Sequence, residues 1–168
     1  RRVAPALLET QHSELSAVSR ANTDLLDEFA DTFNVPNRFA DWKELVRAKD
    51  IDAVYVATPV NLHAEQTITA LESGKHVLCE KPMALNVADC NRMVSAAKMH
   101  GLKLGIAYYR HFYPVVRRMK EVINSGEIGK PIIARVTAFE WFNPAPSNSR
   151  AWLLKPEISG GGPMFDFG

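Results

Sequence analysis

The alternation of short apolar runs with amphipathic segments constrains this chain more than any other feature of its sequence. Five runs predict strands, and they lie at residues 15–19, 38–39, 52–57, 76–80 and 102–107. The intervening segments carry apolar residues at helical spacing, as Leu25, Leu26, Phe29 and Phe33 do. Strands separated by helices of about 10–15 residues predict βαβ units, and hence an α/β fold with a Rossmann-like, doubly wound parallel sheet.

Both ends of the chain differ from what a complete domain of this type would show. Such a nucleotide-binding sheet normally opens with a strand and the turn G-x-G-x-x-G/A. Here residues 1–7 predict a helix without that strand, and Ala4 stands for the last small residue of the turn. We therefore expect a sheet that lacks its first strand, whose place lies between the strands at 15–19 and 52–57. Residues 160–168 resemble a loop entering another element, so we expect an internal fragment of a longer protein, the alternative being a natural domain with these ends.

The pattern changes after Gly126. Residues 131–142 predict a longer, β-branched strand with Trp141 packed in a core, and residues 143–149, with Pro144 and Pro146, predict a loop. We therefore expect a domain boundary between residues 125 and 126.

Composition indicates a soluble globular protein. Hydrophobic residues make up 46% of the chain and charged residues 23%, with a net charge of +1. This balance indicates neither a nucleic-acid interface nor a membrane surface, and no apolar run approaches the ~20 residues of a membrane span. Cys79 and Cys90 are expected to be free thiols, which suits the reducing cytoplasm. No cluster of Cys, His and Asp predicts a metal site.

The tripeptide Glu80-Lys81-Pro82 closes the strand predicted at 76–80. Pro82 ends the strand because it cannot continue the backbone ladder. A carboxylate and an ammonium are therefore placed at the C-terminal end of a strand, where ligands bind in open α/β sheets. Lys81 can donate a hydrogen bond to a substrate oxygen or exchange a proton with it. The alternatives are a surface lysine at a strand end and, for Glu80, a simple ion-pair partner.

Several segments together resemble the Gfo/Idh/MocA family of nicotinamide-dependent oxidoreductases. These segments are residues 51–59, 61–63, 74–82, 109–112, 125–129 and 160–162. The resemblance implies a two-domain enzyme. Residues 1–125 would form an N-terminally truncated NAD(P)-binding Rossmann domain. Residues 126–168 would begin a C-terminal α/β domain with a large, mostly antiparallel sheet, which contributes the substrate pocket and the oligomer interface.

The resemblance also implies an activity. Members transfer a hydride between NAD or NADP and a hydroxyl or carbonyl carbon of a sugar, inositol or related polyol. Lys81 and Asp166 match catalytic positions, and the family's catalytic histidine would fall just beyond Gly168. The intact parent is expected to be a homo-oligomeric enzyme, and the chain as given is expected to be inactive. An NAD-dependent glycoside hydrolase and a non-catalytic nucleotide-binding remnant are the alternatives.

The residues after the strand at 52–57 are expected to contact the cofactor. A hydroxyl, an amide and backbone N–H groups there can line its ribose and pyrophosphate, and the residues concerned are Thr58, Pro59, Asn61 and His63. The alternative for Asn61 is a helix cap, and His63 is equally open to another role. Glu80 could orient Lys81 or contact the nicotinamide ribose, so Glu80 and Lys81 join the expected cofactor site.

Two arginines complete the candidate residues. Ser19 and Arg20 end the strand at 15–19, where NAD-specific folds usually carry an acid. A guanidinium matches a 2′-phosphate by bidentate geometry, so NADP is slightly favoured over NAD. A solvated arginine is the alternative. Arg110 follows the last predicted strand and is expected at the nicotinamide or substrate, or else in polar contacts between the domains.

Overall fold

The computed structural model of the chain describes residues 3–137, 139 and 141–161. Strands and helices alternate along it, as the sequence pattern predicts. The elements are α1 (Val3–Glu9), β1 (Ala17–Ser19), α2 (Thr23–Phe33), β2 (Asn37–Phe39), α3 (Trp42–Arg47), β3 (Ala53–Val56), α4 (Val60–Glu72), β4 (His76–Cys79), α5 (Val87–Met99), β5 (Leu104–Ile106), α6 (Pro114–Ser125) and α7 (Pro156–Ser159), with 3₁₀ helices at Tyr109–Phe112 and Ala151–Leu154.

The strands form two parallel sheets. β1 pairs with β2, and β3, β4 and β5 pair in that order. In the second sheet Val56 lies opposite Cys79, and Cys79 lies opposite Ile106. Within the described residues β1 and β3 are not paired, and this break falls where the sequence predicts a strand to be lacking. The Rossmann-like α/β fold is thus confirmed.

Local side chains explain where several helices begin. The side chain of Asn22 accepts a hydrogen bond from the Leu25 N–H at 2.9 Å, and Asp41 does the same for the Lys43 N–H at 2.9 Å. Asn86 caps α5 by accepting from the Asp89 N–H at 2.9 Å. Each bond satisfies one of the N–H groups that the first turn of a helix leaves unpaired. Asn and Asp are among the residue types that favour this position.

The hydrophobic core lies where α4 and α5 pack against β3 and β4. Leu71 of α4, Met93 of α5 and Cys79 of β4 are fully buried and belong to one cluster. Close packing fixes the position of α4 relative to the sheet. The carboxyl ends of β3 and β4, and the residues that follow them, therefore rest on a rigid support.

The strand predicted at 131–142 is wrong for the part of that segment that the structure describes. None of those residues forms a strand, and Ile133 and Trp141 are 84% and 90% exposed, so Trp141 is not in a core either. A strand is stable only when a neighbour takes up its backbone hydrogen bonds. Among the described residues, no strand lies beside this segment. Its β-branched composition favours a strand but cannot supply the partner that a strand needs.

The described residues after Gly126 contain the second 3₁₀ helix and α7, and α7 packs against α4. They include no strand of the mostly antiparallel sheet that the resemblance implies. The boundary between residues 125 and 126 stays a prediction.

Candidate active site

The candidate site lies at the carboxyl ends of β3 and β4. Because these strands are parallel and adjacent, the residues that follow them meet at one edge of the sheet. The Glu80 N–H donates to the Val56 carbonyl at 2.9 Å, which extends the ladder by one bond beyond β4. The loop of residues 57–59, called here the Thr58 loop, therefore lies beside residues 80–82, called here the E-K-P turn.

A cavity of about 270 Å³ opens between these two segments. Four of the residues expected at the site line it, namely Thr58, His63, Glu80 and Lys81. Two further lining residues are Trp152, in the second 3₁₀ helix, and Arg150, directly before that helix. The fold thus joins segments that are far apart in the chain. The guanidinium of Arg150 also lies 5.1 Å from the ring centre of Phe142. Sequence reasoning missed Arg150, because nothing in its immediate surroundings marks it.

Two donors orient the carboxylate of Glu80. The Tyr55 hydroxyl donates to its Oε1, and the Lys81 backbone N–H donates to its Oε2 at 3.1 Å. Burial, followed by this hydrogen bond and the charge of Glu80, raises the pKa of Tyr55 well above its ordinary value. Tyr55 therefore stays a protonated donor at neutral pH. Sequence reasoning missed Tyr55 too, because its residue type fits a strand without any further role.

His63 occupies the interior beneath this cavity. Its side chain is 1% exposed, its Nδ1 lies 2.9 Å from the Pro82 carbonyl oxygen, and its Nε2 lies 2.9 Å from the Thr58 carbonyl oxygen. Each ring nitrogen thus faces a backbone carbonyl oxygen, and the nitrogen that carries the N–H donates to one of them. The Thr58 hydroxyl in turn donates to the Gln66 Oε1 at 2.7 Å. The Thr58 loop is held to α4 by side chains on two successive turns of that helix.

Two other residues expected at the cofactor, Pro59 and Asn61, are not among those that line this cavity, called here the Lys81 cavity. Pro59 precedes the first residue of α4. Asn61 lies inside α4 and does not cap it, so the capping alternative is wrong. Its side chain borders a second groove, between α4 and α5, with Glu65 and Arg92.

Both arginines expected at the site are exposed, and each follows the carboxyl end of a strand. Ser19 ends β1, and the Arg20 N–H donates to the Phe39 carbonyl at 3.1 Å. Arg110 lies in the 3₁₀ helix that follows β5. Among the described residues, none of these three lines the Lys81 cavity. Asp166, expected to be catalytic, lies outside the described residues.

Two further kinds of chemistry can be assessed from the side chains. Burial raises the pKa of the Cys79 thiol to about 11, so it is protonated at neutral pH and is a poor nucleophile. In the part of the chain that the structure describes, no group of three or more His, Cys, Asp and Glu residues could hold a metal ion.

None of the described helices combines the length and apolar character that crossing a membrane requires.

Comparison with known proteins places the chain among oxidoreductases. Residues 1–108 match the family model described as an oxidoreductase family with an NAD-binding Rossmann fold. Residues 116–168 match the model of a GFO/IDH/MocA C-terminal domain.

Individual relatives agree with these matches. The chain is 37% identical over 96% of its length to oxidoreductase P35 of Formosa agariphila, covering 51% of that protein. It is 42% identical over 74% of its length to 1,5-anhydro-D-fructose reductase of Ensifer adhaerens, covering 36% of that protein. The crystal structure of aldose-aldose oxidoreductase from Caulobacter crescentus, complexed with glycerol, matches with a TM-score of 0.84 and 32% identity over 98% of this chain and 49% of that one. The chain thus spans about a third to a half of these relatives.

Proposed function

Because the chain belongs to the Gfo/Idh/MocA family of oxidoreductases, we propose that its natural protein transfers a hydride between NAD or NADP and a carbon of a sugar, inositol or related polyol. That carbon bears a hydroxyl in the reduced substrate and a carbonyl in the oxidised one. One observation carries the proposal: the side chains of Glu80 and Lys81 line a cavity at the carboxyl ends of two parallel strands.

The polar groups at this cavity fit a nicotinamide ribose. Glu80 is a carboxylate whose orientation is set by two donors, so its remaining acceptor capacity suits ribose hydroxyls. Lys81 follows it directly and is half-buried. The Thr58 loop, which includes Pro59, and Asn61 follow β3. They are proposed to line the rest of the cofactor, with Arg110 near its nicotinamide end. When bound, the nicotinamide supplies or accepts the hydride.

Lys81 is proposed to handle the proton. Oxidation of a hydroxyl removes one hydride from carbon and one proton from oxygen, and reduction returns both. The Lys81 ammonium can donate a hydrogen bond to that oxygen and pass it a proton, and the resulting amine can take the proton back in the opposite direction. Asp166 is proposed as a further catalytic residue that positions or relays, on the family resemblance alone.

We also propose that NADP is accepted and slightly preferred, with Ser19 and Arg20 at its 2′-phosphate. Arg20 is exposed just after β1, and no acid is found between it and Asp24.

The natural protein is proposed to be a homo-oligomer of the cytoplasm. The exposed apolar side chains of α6, such as Val115 and Met119, support association, and the two free thiols support a reducing compartment.

The proposal is tested by replacing Lys81 with methionine, which keeps the length of the side chain and removes its charge. We expect kcat in a sugar and inositol panel to fall about 10²-fold or more, the size of a general acid–base contribution. Reduced nicotinamide absorbance measures the turnover. Lys98→Met, on the exposed side of α5, is the matched control and should keep wild-type activity.

Other outcomes of the same experiment separate the alternatives. Full activity in Lys81→Met would contradict the role of Lys81. Product formed without net change in the nicotinamide would identify the glycoside hydrolase alternative. Cofactor binding with no turnover across the panel would identify a non-catalytic protein.

A further inference from the structure

We infer that His63 is a positioning residue, whose buried ring ties the Thr58 loop to the E-K-P turn and thereby fixes Lys81 and the cofactor loop relative to each other. The inference rests on the proposed function, because it assigns each end of the tie to one part of the proposed site.

The tie begins where the backbone ladder stops. Among the described residues, the last backbone hydrogen bond between the β3 and β4 segments runs from the Glu80 N–H to the Val56 carbonyl. The carbonyls of Thr58 and Pro82 lie beyond it, two residues further along each segment. His63 spans them, with one ring nitrogen 2.9 Å from each oxygen. The ring thus continues a connection that the strands no longer make.

The tie is anchored in a rigid element. His63 belongs to α4, which also carries Ala70 and Leu71, both fully buried in the core. A side chain that is 1% exposed on a packed helix has little freedom to move. The two carbonyls that it contacts are therefore held to the core and not only to each other.

Hydrogen-bonding capacity makes the ring hard to replace. Both partners are carbonyl oxygens, which only accept. A neutral imidazole has one N–H and serves one of them, whereas an imidazolium serves both. A buried carbonyl without a donor is unfavourable. Nδ1 faces the carbonyl of the residue next to Lys81, and Nε2 faces the carbonyl of the residue next to Pro59. The position of the N–H on the neutral ring therefore decides which of these two parts of the site the ring holds.

Two amide substitutions separate these two contacts. In His63→Asn the amide lies near the position of Nδ1 and can keep the bond to Pro82. In His63→Gln the amide reaches the position of Nε2 and can keep the bond to Thr58. If the ring donates from Nδ1, we expect His63→Gln to lower kcat about tenfold with NADPH affinity near wild type. If it donates from Nε2, we expect His63→Asn to weaken NADPH binding about tenfold with kcat near wild type. The natural protein is used, with NADPH as the probe.

The same two substitutions at His100, the exposed residue that ends α5, are the matched controls and should change neither quantity. Wild-type behaviour in both His63 variants would overturn the inference. So would a parallel loss of kcat and affinity that follows the loss of thermal stability, because that pattern indicates a structural role only.

A measurement on the wild-type protein decides the matter if the variants do not fold. A ring nitrogen bonded to a buried carbonyl carries a slowly exchanging proton, which ¹⁵N-edited NMR of histidine-labelled protein detects. We expect such a proton at His63. Exchange of every His63 ring proton at the rate of an exposed histidine would overturn the inference. If wild-type protein shows the protected proton but binds no nicotinamide cofactor, the proposed function fails and the tie itself stands.

Discussion

At the residue scale, Tyr55 and Glu80 form the pair that best illustrates how this site is oriented. A carboxylate can rotate about its last bond, and that freedom is lost when separate donors hold each oxygen. Tyr55 holds one oxygen and the Lys81 backbone N–H holds the other. Because the pKa of Tyr55 is raised, its hydroxyl stays a donor well into the alkaline range. Glu80 is thus presented in one orientation to whatever enters the cavity.

Removal of the Tyr55 hydroxyl should therefore affect binding more than folding. We expect Tyr55→Phe to weaken NADPH binding about fivefold, since one hydrogen bond to a charged acceptor is lost. The dissociation constant can be measured by fluorescence titration of the natural protein. Tyr113→Phe, at an exposed tyrosine that precedes α6, should bind like wild type. Unchanged affinity in Tyr55→Phe would show that Glu80 needs no help from the hydroxyl.

At the element scale, β1 is separated from β3–β5, and the two sheets carry different parts of the proposed site. β1 ends in Ser19, and its backbone continues for one residue by the bond from Arg20 to Phe39. That bond fixes the backbone of Arg20 while its side chain stays exposed. An arginine in this setting is available to a phosphate without reorganising the strand.

Cofactor choice can thus be tested at the end of β1 alone. We expect wild-type protein to bind NADPH more tightly than NADH, and Arg20→Ala to remove most of that preference while leaving NADH affinity unchanged. Calorimetric titration with both cofactors gives the two constants. Arg47→Ala, at the exposed end of α3, serves as the control. Equal affinities in wild type, unaltered by Arg20→Ala, would refute an NADP preference.

The elements also show how far sequence reasoning reaches. α2, α4 and α5 were predictable because their apolar spacing and, for α5, the cap Asn86 are local signals. The strand expected at 131–142 failed because pairing depends on a neighbour, which a segment's own composition does not reveal. The site divides in the same way. Glu80 and Lys81 stand out from their position after a strand, whereas the link from His63 to Pro82 joins residues 19 positions apart and follows only from the packing of α4.

At the scale of the whole molecule, the free energy of unfolding should fall at alkaline pH because of a thiol buried in the core. Cys79 is fully buried, and burial raises its pKa from 9.0 to about 11. A raised pKa means that folding favours the neutral thiol. Its contribution is complete below pH 9, where the unfolded thiol is also neutral, and is lost as the pH rises through about 11.

We therefore expect the free energy of unfolding to fall by about 2 kcal/mol over this interval through Cys79. Urea unfolding at a series of pH values measures the slope. Cys79→Ala should be less stable at every pH because it leaves a cavity, but its slope should be shallower. Cys90→Ala, at the half-buried cysteine of α5, should keep the wild-type slope. Identical slopes in wild type and Cys79→Ala would contradict the assignment.

The register of β4 has a consequence for how this chain can vary in length. Val77 and Cys79 face the core, and the residue between them does not, so consecutive side chains alternate between the two faces of the sheet. One inserted or deleted residue within β4 would exchange these faces and move Glu80 and Lys81 along the edge together. The turn at Gly101, between α5 and β5, lies in the connection to the next strand and can absorb such changes without moving the E-K-P turn. Length differences among relatives of this chain should accordingly collect in the connections between elements, while the spacing from Val77 through Pro82 stays constant.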